Sequence, residues 1–399
     1  NPVWWQAWSK KSLAIAQTED KPIFLSIGYA TCHWCHVMEG DSFEKEDVAL
    51  ILNNNFISIK VDREERPDID QLYMDAAHAL GSRGGWPLTI IMTPKGKPFF
   101  AATFIPREKL KYLLLKISEL WLSKDKEELL QTGKKVHDYL SQSLDQAHTP
   151  LKDPPSDKIL TKYYHQLEKS FDHKYGGFGN APKFPSSMSI MMLFRIYHRT
   201  KEKKALEMAF KTLDNMARGG IHDHLGGGFH RYSTDEKWLV PHFEKMLYDN
   251  ALLLLSYTEA YQISKNPEYK IIAERIIHYI ERDLTAPKGG FYAAEDADSE
   301  KAEGKFYVWK YEELKNLLNP KELEEIKNYY GVSEKGNFDT TDFSEIEKDA
   351  GLEGVHEANI LHLDPKMPLP YSANHKYLEP ILNKLLKIRT KRVRPLLDH

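Results

Sequence analysis

The only two cysteines in this 399-residue chain stand three positions apart, in Cys32-His33-Trp34-Cys35-His36, and the flanking segments give them a setting. Pro22-Ile23-Phe24-Leu25-Ser26-Ile27 is apolar enough for a short buried strand, and Met38 to Asn53 carries Val48, Leu50, Ile51 and Leu52 at helical spacing. Strand, tight turn, C-x-x-C and helix put Cys32 at a helix N-terminus, where unpaired backbone N–H groups and the helix dipole favour a thiolate. Cys35, one turn further on, is placed to resolve a mixed disulfide. Other uses compete. With His36 the run satisfies the C-x-x-C-H attachment pattern of c-type haem. Cys32, Cys35, His33 and His36 are also four zinc-ligand types, although ring nitrogens so close in sequence strain to close a tetrahedron. The blandest alternative is two cysteines filling space.

Context favours redox chemistry. Asn55 to Asp62 (Phe56, Ile57, Ile59, Val61) reads as the next buried strand. After a helical stretch, Gly84-Gly85-Trp86-Pro87 leads into Leu88-Thr89-Ile90-Ile91-Met92, and the turn Pro94-Lys95-Gly96-Lys97 into Pro98-Phe99-Phe100-Ala101-Ala102, giving a hairpin. Pro87 is a candidate for a cis bond in a tight turn. Thioredoxin folds place such a loop beside the C-x-x-C, and residues 1 to 125 resemble that fold.

The resemblance narrows on longer runs. Lys21-Pro22-Ile23-Phe24-Leu25-Ser26-Ile27-Gly28, Cys32-His33-Trp34-Cys35-His36-Val37-Met38-Glu39, Lys60-Val61-Asp62-Arg63-Glu64-Glu65-Arg66-Pro67 and Gly84-Gly85-Trp86-Pro87-Leu88-Thr89 look like one family. So do Gly176-Gly177-Phe178-Gly179, Leu225-Gly226-Gly227-Gly228-Phe229-His230-Arg231-Tyr232, Pro241-His242-Phe243-Glu244-Lys245-Met246-Leu247-Tyr248-Asp249-Asn250 and Glu295-Asp296-Ala297-Asp298-Ser299. Together they resemble the spermatogenesis-associated protein 20 family. That likeness implies an α/β thioredoxin-like N-terminal domain followed by an all-α domain, a partial (α/α) toroid similar to sugar epimerases and six-hairpin glycosidases. Trp4 stands where the family usually has Asp. Family members continue well beyond the position of His399, so the helical domain is expected to be incomplete.

Three segments follow: 1–145, thioredoxin-like with closing helices; 146–157, a linker marked by Pro150, Pro154 and Pro155; and 158–399, toroid-like. Helices are predicted over 109–144, 157–172, 187–200, 203–217, 242–263, 267–284, 311–330 (broken at Pro320) and 373–391. Phe291–Ala294 and Lys305–Trp309 are predicted to pair as a hairpin.

Lys and Arg number 55 against 58 Asp and Glu, a formal charge of −3. No basic face stands out, which argues against nucleic acid as a partner; the run from Lys384 to Arg394 reads as a solvated helix end. No apolar run reaches the roughly 20 residues that span a bilayer, so no membrane partner is expected. One C-x-x-C with no further cysteines fits a reducing, cytoplasmic setting.

The expected mechanism makes Cys32 the exposed nucleophile, an imidazolium at His33 its thiolate partner, and Cys35 the resolving thiol. The partner is a protein or small-molecule thiol or disulfide, and no cofactor is implied. Trp34, Trp86 and Pro87 are expected to border the substrate. Ser26 occupies the place where thioredoxins carry a buried Asp that assists proton transfer, so either Glu39 or a water substitutes or resolution is slow. In the second half, His222, Asp223, His230, Arg231, His242, Glu244, Asp249, Glu295, Asp296 and Asp298 are candidates for a carbohydrate pocket. A glycosidase needs two carboxyl groups roughly 5 to 9 Å apart, one of them with a raised pKa, and Asp223 with Asp249 or Glu295 is a possible pair. His222, His230 and His242 are a weaker zinc set, and Asp296-x-Asp298 either a turn or cation ligands. Capping and satisfaction of buried loop backbone predict the same residues, as does a non-catalytic binding or scaffold role.

Overall fold

A computed structural model describes residues 1–147, 156, 158–338, 355–364, 367–369 and 377–398. Most of the predicted 146–157 linker lies outside the described residues. Those that are described form two compact units, one up to residue 147 and one from residue 156 on.

The first unit is a five-stranded sheet in the order β1-β3-β2-β4-β5, with β1 Gln6–Ala7, β2 Ile23–Gly28, β3 Ile57–Asp62, β4 Leu88–Met92 and β5 Pro98–Ala102. β3 runs parallel to β1 and β2, while β4 and β5 are antiparallel, forming the predicted hairpin. Alternation along β2 assigns its two faces. Phe24 joins Val48, Leu52, Leu110, Leu114 and Trp121, carried by α3 (Glu46–Asn55) and α5 (Arg107–Leu122). Ile23, Leu25 and Ile27 join Ala16, Ile69, Tyr73 and Val136 from α1 (Lys10–Glu19), α4 (Pro67–Ala79) and α6 (Lys126–Ala147). Helices cover both faces. The single helix predicted over 109–144 divides at Ser123-Lys124-Asp125, because the Ser123 hydroxyl accepts from Asp125 N at 3.0 Å and starts a new turn.

The second unit stacks helix hairpins one on the next. α8 (Ser187–Thr200) packs on α9 (Lys203–Arg218) and on α10 (Leu247–Ser264), which packs on α11 (Pro267–Tyr279). Two of these turns repeat one chemistry. Lys201 and Lys265 end α8 and α10 in the left-handed region, and the Glu202 and Asn266 side chains then cap the next helix. α7 (Lys158–Ser170), α12 (Tyr311–Leu317), α13 (Pro320–Tyr330) and α14 (Glu379–Arg389) are the unit's other α-helices among the described residues. Ala205, Met208, Ala209, Leu213 and Met216 of α9 bury one stripe in the common core.

Two expectations fail here. Residues 242–246 are not helical: Pro241–His242 and Lys245–Met246 are short strands, and α10 begins at Leu247. Nor do 291–294 and 305–309 pair with one another. Ala294–Glu295 lies between Lys245–Met246 and Leu397–Asp398, and Trp309–Lys310 pairs with Ala358–Asn359. These pieces find long-range partners, which local spacing cannot announce.

Candidate functional site

β2 ends at Gly28, and Cys32 N–H donates back to Tyr29 O (3.2 Å), turning the chain into α2 (His33–Met38). Cys32 is its N-cap; its Sγ accepts from Cys35 N at 3.2 Å. The two sulfurs are joined in a disulfide, with Cα atoms 5.2 Å apart. A Cβ on Gly28 would stand 2.8 Å from Cys35 Sγ, so the strand end and the disulfide touch only because that residue is glycine.

Exposure of the two cysteines departs from the expectation. Cys32 is 3% exposed, between buried Thr31 and His33, whereas Cys35 is half-buried and borders a cleft of about 380 Å³. The N-cap position turns the Cys32 sulfur inward toward the Cys35 N–H, leaving the Cys35 side chain to front the opening. Ser26, Tyr29, His36, Glu39, Lys60 and Pro87 share that cleft.

Pro87 follows a cis bond from Trp86. The Trp86 indole donates to Asp70 Oδ1 (2.8 Å), lies 4.1 Å beneath the Arg63 guanidinium and meets the Tyr29 ring edge-on at 6.0 Å. Burial pushes the Asp70 carboxyl up, against the opposing pull of the indole N–H and Arg63. Trp34 is 40% exposed and packs against Phe104 at 5.2 Å. His33 is buried edge-on to Trp34, and His36 Nε2 lies 2.7 Å from Ala30 O. Arg63, Asp70 and Lys60 were not foreseen, since each lies far along the chain from the cysteines.

In the helical unit three of the candidate carboxylates, Asp223, Glu244 and Glu295, are held by cations. Asp223 is buried, accepts two bonds from Arg389 (2.8 and 2.7 Å) and one from Lys245 Nζ (2.8 Å), and binds the N–H groups of Leu225 and Gly226. Burial alone would push it up; Arg389 and Lys245 instead hold it well below the usual carboxylate range. It is therefore no proton donor at neutral pH. Glu295, opposite Lys245 in the strand register, accepts from Arg394 (3.0 Å) and the Tyr279 hydroxyl (3.1 Å).

A second cluster joins Glu244 to Arg231 (2.8 Å) and places His242 between Glu303 (2.7 Å) and Glu244 (3.5 Å). Burial opposes charge on His242, but the two carboxylates push it up to about 9. His230 Nδ1 lies 2.7 Å from Phe243 O and His222 Nδ1 3.1 Å from Ala217 O. With His242 on Glu303, the three rings point to separate partners rather than to one ion. Asp296 Oδ1 accepts from Asp298 N (3.1 Å), a turn, and Asp249 sits in the first turn of α10. Glycine density has the same structural origin: a Cβ on Gly226 would lie 2.3 Å from Arg389, and one on Gly228, at φ 73°, 2.4 Å from the Tyr279 ring.

The run from Lys384 to Arg394 is a solvated helix end only in part: Lys387 and Lys391 are exposed, whereas the arginines have partners. Arg389 reaches Asp223, Arg392 stacks on Trp309 at 3.9 Å and binds Glu313, and Arg394 binds Glu295 and Asp283. Those carboxylates are up to 166 residues away in sequence, so their pull on the run was invisible locally.

Fold and cysteine pair define a thioredoxin-like domain with a C-x-x-C disulfide, followed in the chain by a helical domain. Residues 1–141 match the family model described as Thioredox_DsbH, "Protein of unknown function, DUF255". The whole chain is similar to spermatogenesis-associated protein 20 from Homo sapiens, 39% identical over 428 aligned positions, and the Rattus norvegicus protein of that name is 38% identical. The chain spans about half the length of these curated relatives, 54% of each. The resemblance seen in the motifs therefore holds over the full chain. Among solved structures, a cellobiose 2-epimerase from Bacillus thermoamylovorans overlays 35% of this chain and 42% of its own, with 17% identity and a TM-score of 0.31. One titled "DsbH Oxidoreductase" overlays 30% of this chain and 86% of its own, with 18% identity and a TM-score of 0.25.

Proposed function

We propose that this chain is a thiol–disulfide oxidoreductase or redox sensor whose working couple is Cys32 and Cys35. One observation carries the reading: a disulfide capping a helix N-terminus, with one of its sulfurs bordering a cleft. The N–H groups of that helix start stabilise a Cys32 thiolate. In the oxidising direction one cysteine thiolate attacks a substrate disulfide R–S–S–R, forming a mixed disulfide and expelling RS⁻. The other cysteine, deprotonated, attacks the mixed disulfide and expels the second RS⁻. Both leaving thiolates take up the protons the cysteines gave, so two electrons pass from the dithiol to two RSH. His33 adds positive charge near Cys32 when protonated, and Trp34, Trp86 and Pro87 shape access for a protein or small-molecule disulfide in a reducing compartment.

Single-serine variants of the full chain test this. Reduced Cys32→Ser and Cys35→Ser proteins, mixed with hydroxyethyl disulfide and analysed by mass spectrometry, should each stop at a mixed disulfide, and the faster one identifies the attacking sulfur. Wild type should pass on to the intramolecular bond. No adduct on either variant would end the oxidoreductase reading.

A further inference from the structure

Glu39 follows Cys35 by four residues, one helical turn, which sets the two side chains as neighbours on one helix face. The backbone confirms the spacing, since Glu39 N–H donates to Cys35 O. Both side chains line the cleft of about 380 Å³, wide enough for water to stand between thiol and carboxylate. Lys60, from β3, lies across that cleft with Nζ 3.6 Å from Glu39 Oε2, and the Asn1 side-chain amide donates to Glu39 Oε1 at 3.1 Å. Tyr29, His36, Asp62 and Glu65 are the other titratable groups on the cleft wall. On β2, directly against Lys60 in the strand register, stands Ser26, which has no carboxylate to offer. Among the residues lining the cleft, Glu39 is the carboxylate on the cysteine's own helix face.

We propose that Glu39 is the proton acceptor for Cys35, with Lys60 and the Asn1 amide holding its carboxylate in place on the cleft wall. The inference rests on the redox reading of the pair and adds to it the route of one proton. Whichever sulfur attacks first, the Cys35 S–H bond must break before the intramolecular disulfide closes. Its proton passes to the Glu39 carboxylate through water in the cleft, the electron pair stays on sulfur and forms the new S–S bond, and the departing RS⁻ takes the proton up as RSH. Glu39 does not touch the substrate; it is a positioning and proton-transfer residue.

The Cys32→Ser full chain isolates the step, because Cys35 alone then reacts with neutral hydroxyethyl disulfide. Its rate should be followed from pH 5.5 to 9, beside the same protein carrying Glu39→Gln, Glu39→Asp or Lys60→Met. With Glu39 present the rate should keep a shoulder at low pH. With Glu39→Gln it should fall about tenfold per pH unit below the thiol pKa, and Glu39→Asp should restore part of the shoulder. Lys60→Met, which removes the ammonium that holds the carboxylate in place, should lower the shoulder without abolishing it. A merely structural role for Glu39 would lower the rate equally at all pH, and that result, or superimposable profiles, overturns the proposal. Wild type that never closes a disulfide in a redox series, while Cys35 in the serine variant reacts with the expected profile, would sink the redox reading and leave the proton route standing.

Discussion

Single side chains set the tolerances of both halves. At Gly28, an added methyl group meets Cys35 Sγ at 2.8 Å, with a strand on one side and a helix on the other. Gly28→Ala should destabilise the oxidised first unit by about 1–3 kcal/mol, the usual cost of overpacking; urea unfolding at unchanged m-value checks it, and an unshifted midpoint would contradict the close approach. Buried histidines set the pH response of the helical unit. Burial pushes His224 down to about 3 and holds His222 and His230 well below their usual value. Each is neutral when folded but takes a proton near pH 6.5 when unfolded, so its contribution is complete above that pH and lost as the pH falls, by about 1.4 kcal/mol per unit per histidine. Asp223, depressed by Arg389 and Lys245, adds a further loss only below roughly pH 4. His242, pushed up to about 9, acts oppositely: its contribution is present below pH 6.5 and lost as pH rises through 9. Stability of this unit, followed by hydrogen exchange in α9 and α10, should peak near neutrality and drop between pH 6.5 and 5. A flat profile there would contradict the neutral burial of the three rings.

At the scale of elements, short-range pattern was legible and long-range pairing was not. Apolar runs and glycine–proline punctuation located β2 to β5, and α8 and α9 fall where 3.6-residue spacing put them. The two-residue strands escaped because they carry almost no periodicity and exist only through partners far along the chain. The same limit hid the role of α14. Its Arg389 is buried and closes a bidentate bond to Asp223, so this helix is tied into the core by a cation that sequence reasoning assigned to solvent. Arg389→Ala should cost about 3–5 kcal/mol, as expected when one member of a buried ion cluster is removed. Faster hydrogen exchange of the Asp223–Phe229 loop, with the first unit's exchange unchanged, would register it; a change confined to α14 would contradict the anchoring role.

Across the whole molecule, chemistry and architecture are unevenly written in the sequence. The C-x-x-C, its helix, the hairpin behind Pro87 and the helical second half were all apparent from motif and spacing. Which cysteine faces outward was not, because exposure depends on how the N-cap turns its sulfur and on what covers it. The proposed carbohydrate carboxylates illustrate the same point: composition gave Asp223 and Glu295, but only folding revealed the arginines that hold them. Among the described residues, no helix is long and apolar enough to cross a membrane. The redox reading of Cys32 and Cys35 remains the claim on which the functional account turns. It is tested most directly by equilibrating the full chain in a graded series of reduced and oxidised dithiothreitol, quenching with an alkylating agent and counting modified thiols by mass. The account predicts one reversible two-electron transition between a doubly alkylated chain and an unmodified one carrying the Cys32–Cys35 bond. Two thiols that stay alkylatable throughout the series, or that oxidise only into disulfide-linked dimers, would contradict it.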